Sequence, residues 1–594
     1  QRMRAAFVIA FVLLICGSLA HWPSYWAPDS RSPANHQVSF TLALKLRNLE
    51  AFNDLWERIT TPGSPEYRQY RPMEELTSMI APPAAEQEFV LTYLRNHGCF
   101  ATSFGDFITA EGPVSAVEAI FGAEYHAFRH EKHDVVLHRS IEYPTIPSAL
   151  SHIVSFVTGI SNFPHERKQT RKVSTEEVLD DTSTWVVPQT IRNLYNIPAG
   201  TSNTVRNNSM AVVEFGVVAG ISQSDLSEFM ELTDGPSNAS LAYTVGNFAF
   251  TPISPIDGES TLDVQYIMAV GVGVPTSFWT INGWMYDFTT EVQTRQSRGN
   301  PVPLVFSMSY GWAEADQCDV THNGVSCAQF GGSDTSYVQA TSANFQKLGM
   351  TGITLLCSSG DAGAASKENL NCNSDPPIQP NFPASSPYIT TVGGTMLQDG
   401  GSPLTGTLPP FCTEQGVTCA GGGVEIVSSI PEALITSGGG FSNIFDQPSY
   451  QSSAVSSWQN SGALEPPAQY WNSQGRGYPD VAGLAHQYMV VEKGEKLGVD
   501  GTSASCPVTA GIIALINGNR LASGLQPLGF INTALYSMNQ SSFNDVTIGN
   551  NTGTEANSSP DCFTYGYGAS PGWDPCTGLG TPNYQAWNSY FLNN

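Results

Sequence analysis

Gly501-Thr502-Ser503-Ala504-Ser505, followed by Pro507 and the apolar stretch Val508 to Ile516, has the pattern of a nucleophilic serine at the start of a buried helix. A serine hydroxyl needs a base to take its proton. Only His322 and His486 lie beyond residue 186, and neither sits in a His-Gly-Thr context. If Ser503 attacks, a group other than imidazole serves it. Gly-Thr-Ser is also a common helix start, where the hydroxyl caps backbone N–H groups.

Outward from this run, apolar strand-like segments alternate with helical ones. The strands are Met210 to Val213, Val302 to Ser307, Ile353 to Cys357 and Ile389 to Val392. The helices are Leu262 to Val270, Ser333 to Leu348 and Val508 to Ile516. Such alternation predicts an α/β body, a parallel sheet with helices on both faces. Residues 36 to about 163 have a different texture. Phe40, Leu42, Leu44 and Leu46 alternate as in a half-buried strand. Leu49 to Ile59, Glu86 to Leu94 and Val114 to Phe121 are helical, and Tyr125 to Arg139 is a hairpin. That is a small α+β domain. Residues 164–185 are polar and charged and are expected to form an exposed linker that a protease cuts.

The chain has 594 residues, room for more than one domain. Asp and Glu outnumber Lys and Arg by 52 to 26, for a formal charge of -26. So acidic a chain is unsuited to nucleic acid or anionic membrane and suits an acidic compartment. Arg2 and Arg4, the apolar run Ala5 to Ile15 and Ser18-Leu19-Ala20 form a secretory signal peptide over residues 1–20. Secretion is therefore expected, with delivery to a vacuole or lysosome as the alternative. Eleven cysteines fit an oxidising compartment. Cys318 and Cys327, Cys412 and Cys419, and Cys562 and Cys576 are near enough in sequence to staple local loops, while Cys357 and Cys506 sit in apolar runs as buried thiols. Sequons at Asn207, Asn238, Asn539, Asn550 and Asn557 predict surface glycans.

The base is sought among acids. In Gly258-Glu259-Ser260-Thr261-Leu262-Asp263, the two carboxylates are four apart and share a helix face. Two acids held close tend to share one proton, and such a pair can act as a base where imidazole is already charged. Solvated acids at a helix start have the same pattern. Leu355 to Ser359 is a buried strand ending in the turn Gly360-Asp361. Asp361 thus falls at a strand's C-terminal end, where α/β sheets place their sites. A protonated acid there can donate to an oxyanion; a turn aspartate bonding its own backbone is the plainer alternative.

Taken together, Glu259-Ser-Thr-Leu-Asp263, Ser359-Gly-Asp361-Ala-Gly363 and Gly501-Thr-Ser503-Ala-Ser resemble the sedolisins, the serine-carboxyl peptidases, and in particular fungal secreted tripeptidyl-peptidases. Val305 to Gly311, Asn381 to Thr395, Gly438 to Asn443 and Tyr478 to Val481 extend the likeness from residue 36 to the C-terminus. The resemblance implies a subtilisin-like parallel sheet over 186–594, preceded by a ferredoxin-like prodomain over 21–163. It implies Ser503 as nucleophile, Glu259 as base, Asp263 as its proton-sharing partner and Asp361 as the oxyanion acid. Asp500 is a departure, since many relatives have serine before Gly501. The resemblance further implies one structural Ca²⁺, held by the side chains of Asp545 and Asp574 and the carbonyls of Val546, Ser570 and Gly572. All-oxygen ligands suit that ion.

The expected protein is a monomeric zymogen that acts on polypeptides, is inhibited by its own prodomain and is cut so that the mature chain begins near Val186 or Pro188. Release of tripeptides from free N-termini is the leading mode. An acid endopeptidase of the same family and a catalytically silent, secreted peptide-binding protein are the alternatives.

Overall fold

The structure is a computed structural model and describes residues 22, 25–131, 133–164, 171–174, 184–216, 219–246, 258–317, 333–365, 378–555 and 565–594. The signal peptide expected at 1–20, His322, Cys318, Cys327, Cys562 and the sequon at Asn557 lie outside the described residues.

The N-terminal unit opens with strand β1 (Trp26–Arg31) and β2 (Gln37–Leu44), in which Val38, Phe40 and Leu42 point inward with period two. Helices α1 (Leu49–Thr60), α2 (Met73–Ile80) and α3 (Ala84–Asn96) follow. Next come β3 (Phe100–Ser103), β4 (Phe107–Pro113), α4 (Val114–Phe121), β5 (Tyr125–His130), β6 (Val136–Ser140) and β7 (Val154–Thr158). One antiparallel sheet runs β3-β4-β2-β7, with α3 and α4 packed on its apolar face through Val90, Leu94, Val117 and Phe121. That strand order, with one helical crossover on each side of β3-β4, is the ferredoxin-like arrangement. Strand β1 forms a separate sheet with the β5-β6 hairpin, an addition that its Pro- and Asp-containing sequence hides.

Downstream, β8 (Arg171–Ser174) is followed by β9 (Met210–Phe215), β10 (Tyr243–Val245), α5 (Gly258–Val270), β11 (Thr276–Ile281), α6 (Met285–Ser297), β12 (Val305–Met308), α7 (Asp334–Met350), β13 (Thr354–Ser358), β14 (Thr390–Leu397), β15 (Glu425–Val427), β16 (Val481–Leu484), β17 (Tyr488–Glu492), β18 (Glu495–Asp500) and α8 (Thr502–Ala522). The central sheet runs β10-β11-β9-β12-β13-β14-β15, with β16 also on β14; only β15 is antiparallel. Every residue of β9 and β11 is buried, as a sheet covered on both sides requires. Alternate side chains serve opposite layers. Met210 and Val212 join the core with α5 and α8, while Ala211, Val213 and Phe215 join the core with α6 and α7. All thirteen residues of α5 are buried, so it is a core helix rather than an amphipathic surface one.

Within 164–185, expected to form an exposed linker, the described residues are 164, 171–174 and 184–185. Residues 171–174 pair antiparallel with β18, setting Arg171 opposite Asp500 in the register. Trp185 is 1% exposed, packs on Phe411 and bonds by its backbone to Thr418 and Ala420. Val186 and Val187 are buried too, so a cut near Val186 would fall in packed chain. Cys412 and Cys419 are disulfide-bonded, and Cys357, Cys506 and Cys576 are buried thiols. No helix among the described residues is long and apolar enough to cross a membrane.

Candidate active site

The β17-β18 hairpin delivers the chain to Gly501, and α8 begins at Thr502. Ser503 therefore stands in the first turn of a helix buried along its length, itself 1% exposed. Pro507 lies inside this helix. A proline has no N–H to give the carbonyl four residues back, and here that carbonyl is Ser503's. Ser309 Oγ lies 3.4 Å from it, and donates at 2.6 Å to Asp263 Oδ2. Ser309 Oγ therefore stands between the Ser503 carbonyl and the carboxylate of Asp263 in α5.

Helices α5 and α8 lie side by side. At Gly511 a methyl group would come within 3.0 Å of Gly271 N and 3.1 Å of Ile267 O, so the two backbones touch there. Near their starts, Asp263 is close enough to Cys506 to help burial push that thiol's pKa up. Contact at both points means that the helices run in the same direction. Glu259, one turn before Asp263 on the same face and fully buried, then belongs at the level of the α8 start.

Asp361 follows β13 through Gly360, whose φ of 109° and 2.6 Å approach to Asn381 Nδ2 leave no place for a side chain. Asp361 Oδ1 accepts from Thr502 N at 2.8 Å and Thr502 Oγ1 at 2.7 Å. Its other oxygen faces Gly501. A Cβ there would lie 3.6 Å from Asp361 Oδ2 and 3.4 Å from Ser503 Cβ, so Asp361 Oδ2 and Ser503 Cβ flank one glycine. Because Oδ1 is held by two donors, a proton on this acid sits on Oδ2, the oxygen on the Ser503 side. Trp284, Tyr310, Trp312, Ser359, Asp361 and Thr502 line a cleft at this point.

The structure thus gathers Ser503, Asp263 and Asp361 around the α8 start, with Glu259 on the same face of α5. Sequence reasoning missed Ser309, although it lies within the Val305 to Gly311 run, directly after the C-terminal end of β12, where such groups belong. It also missed Glu214, which accepts from Tyr310 Oη at 2.6 Å. An acid inside the otherwise apolar β9 was the available signal.

Glu314, two residues after Trp312, holds the Ser442-Asn443 segment. It accepts from Ser442 Oγ at 2.5 Å and Asn443 N at 2.8 Å, and burial pushes its pKa up to about 7. A carboxyl raised in the folded state stabilises it in acid, and that contribution is lost as pH climbs from about 4.5 to about 7. Glu314→Gln should remove about 3 kcal/mol of that slope. Thermal melts of both forms from pH 4 to 7.5 check this; parallel curves would refute it.

In the C-terminal region, Gly572 N donates to Asp545 Oδ2 at 3.1 Å and Ser570 N to Asp574 Oδ2 at 3.2 Å. Both carboxylates therefore face the 570–572 turn. Asp574 is fully buried, and burial pushes its pKa up to about 7; Asp545 is pushed up for the same reason. No Lys or Arg pairs with either among the described residues. The groups bonded to these acids are N–H and hydroxyl donors, Asp574 also accepting from Cys576 N at 2.9 Å and Thr577 N at 2.9 Å; with no cationic side chain paired to either, a hard cation would supply the missing charge.

Comparisons with known proteins agree with this architecture. A family model described as the pro-kumamolisin activation domain matches residues 24–163. Physarolisin of Physarum polycephalum is 36% identical over 571 residues, covering 94% of this chain and 94% of its own. Tripeptidyl-peptidase 1 of Canis lupus familiaris is 34% identical over 588 residues, covering 95% and 93%, and that of Homo sapiens is 31% identical over 622 residues, covering 100% of both. Among solved structures, Pseudomonas sedolisin, a serine-carboxyl proteinase complexed with two molecules of pseudo-iodotyrostatin, superposes with a TM-score of 0.50 at 25% identity, covering 70% of this chain and 100% of that one. With a ferredoxin-like activation domain ahead of a parallel α/β body, and full-length relatives above 30% identity, this chain belongs to the sedolisin family of serine-type peptidases.

Proposed function

We propose that this chain is a secreted zymogen that matures in acid into a serine-carboxyl peptidase releasing tripeptides from free N-termini. The observation that carries the reading is the Ser309 bridge, which ties Asp263 to the backbone of Ser503. Ser503 Oγ attacks the peptide carbonyl carbon and its proton passes to Glu259, with Asp263 holding and sharing that proton. Asp361 Oδ2–H donates to the oxygen on which negative charge develops. The tetrahedral species collapses, the amine leaves with the proton from Glu259, and water repeats the sequence on the acyl-enzyme. Ordinary aspartic acid titrates near ~3.9, so an acid pH keeps Asp361 able to donate.

The tripeptidyl mode is supported by the likeness to tripeptidyl-peptidase 1 over the whole chain. It is tested with one peptide in two forms, with a free and with an acetylated N-terminus. The free form should yield fragments in steps of three residues by mass spectrometry, and the blocked form should stay intact. Internal cleavage of the blocked peptide would assign an endopeptidase.

Secretion is supported by the Cys412–Cys419 disulfide and by exposed sequon asparagines at 207, 238 and 539. The charge set at 545–574 supports one Ca²⁺ on the side chains of Asp545 and Asp574 and the carbonyls of Val546, Ser570 and Gly572. The ion supplies positive charge that lets these buried carboxylates ionise within the fold; it takes no part in the reaction. A calcium chelator should lower the melting temperature by about 5–10 °C. Asp574→Asn should melt lower and be insensitive to chelator; a wild type equally insensitive would remove the site.

A further inference from the structure

We propose that His486 and Asp500 form a positioning ion pair for this active site, a tie that holds the corner carrying Ser503 in register with the turn carrying Asp361. The proposal rests on the roles given above to those two residues. Asp500 ends β18 directly before Gly501 and is 2% exposed. Its Oδ1 accepts from Gln487 N at 2.7 Å. Its Oδ2 accepts from Leu434 N at 2.8 Å and is 2.7 Å from His486 Nδ1. One carboxylate thus gathers the turn before β17, the 428–437 loop and the approach to the nucleophile.

The loop carries the tie onward. Thr436 N donates to the Asp361 carbonyl at 2.8 Å, Gly363 N to the Thr436 carbonyl at 3.0 Å, and Gly438 N to the Gly360 carbonyl at 2.7 Å. The bond from Thr502 N to Asp361 Oδ1 closes a ring of three segments, 500–502, 434–438 and 360–363. Asp500 is the corner of that ring that carries a charge. Three donors converge on it, so only a carboxylate can accept from all of them. A buried carboxylate needs a counter-charge, and His486, half-buried beside it, supplies one.

The directions agree with the geometry. Burial alone would raise Asp500, but His486 and the two backbone donors bring it below the ordinary range. Burial alone would lower His486, but Asp500 brings it above its ordinary value. The Asp500 contribution is present above about 3.9 and is lost as pH falls through its depressed pKa; the His486 contribution is present below about 6.5 and is lost as pH rises through its raised pKa. The pair is fully charged between those limits, the range in which the enzyme is proposed to work. The charged residues on the packed segments are Arg171 and Lys172 of β8, in register with Asp500 and Val499, Glu432 of the loop, and Asp361; the first turn of α8 has none that is acidic.

The test uses the full chain matured in acid, with an unblocked peptide substrate from pH 3 to 7.5. Wild type, His486→Ala, His486→Asn and Ser503→Ala are compared, each checked by thermal melt. His486→Ala should lower kcat by about tenfold or more, through misplacement rather than binding, with KM within about threefold. The ratio of wild-type to His486→Ala kcat should peak between about pH 4 and 6.5 and narrow on both sides. His486→Asn, whose amide can donate where Nδ1–H does, should recover part of the loss, and decides the matter if the alanine form fails to fold. A ratio that does not change with pH would mean packing alone and overturns the tie. A loss as large as that of Ser503→Ala would make His486 a reacting base and also overturns it. Activity surviving in Ser503→Ala would instead overturn the nucleophile assignment on which the proposal stands.

Discussion

Ser503→Ala is expected to lower kcat by about 10⁴- to 10⁶-fold while leaving the melting temperature nearly unchanged. Removing one oxygen from a 1% exposed site at a helix start takes away the proposed nucleophile and almost no packing. The α8 backbone, the Pro507 gap and the Ser309 bridge remain. Glu259→Gln should approach the same loss, since an amide cannot take the serine proton. If maturation is intramolecular, both variants should also stay at zymogen length after acid incubation, which a gel reads directly. Hydrolysis by Ser503→Ala within tenfold of wild type would remove the mechanism.

Lys347→Met should weaken docking of the activation domain by about 3–5 kcal/mol, a loss of roughly two to four orders of magnitude in affinity. Lys347 Nζ in α7 meets Asp106 Oδ2 in the activation domain at 2.5 Å, with side-chain exposures of 0% and 3%, and also bonds Gln293. Burial pulls the lysine pKa down while Asp106 opposes that pull. Methionine fills the space of the lysine stem but strands the Asp106 charge. The rest of the interface stays in place, both its hydrogen bonds, such as Thr158 Oγ1 to Asp287 at 2.8 Å and Gln346 Nε2 to Asn53 at 2.9 Å, and its apolar packing. Trp56 of α1 packs on Phe530 and Tyr388 at ring distances of 4.6 and 5.1 Å, above Gly349, where any side chain would meet its ring at 2.9 Å. The Lys347→Met zymogen should therefore unfold at lower urea and have its 164–185 segment cleaved faster by an added protease. Adding Asp106→Leu should restore much of the loss, because an apolar pair can replace a buried ion pair. Failure of the double variant to recover would place the defect in packing.

Much of the fold was legible along the chain because burial on both sides leaves continuous apolar strands and burial on one side leaves alternation. The segments expected at 210–213, 353–357 and 114–121 lie within or on the observed elements. Strand β1 was not legible, because its Ala-Pro-Asp-Ser run has no pattern until the β5-β6 hairpin pairs with it. The linker strand β8 was hidden for the same reason: its order comes from the edge of β18 and not from its own residues. Among the site residues, those inside compact motifs were legible, as at 259–263 and 501–505. Ser309 and Glu214 each act across the sheet, and no local spacing announces a partner 46 or 96 residues away.

The sequence by itself determined the chemistry available to this protein: a serine at a helix start, acids in place of imidazole, and an activation domain ahead of a parallel α/β body. The serine at a helix start and the α/β pattern follow from residue types and short-range periodicity; the roles of the acids and of the N-terminal domain are what the resemblance of the motifs implies. Tertiary structure alone decided which groups meet. It set Ser309 between Asp263 and Ser503, put Asp361 Oδ2 and Ser503 on one glycine, tied Asp500 to His486 and placed Lys347 on Asp106. Each of those contacts joins segments far apart in the chain, and only closure of the sheet and the docking of one core on another bring them within bonding distance.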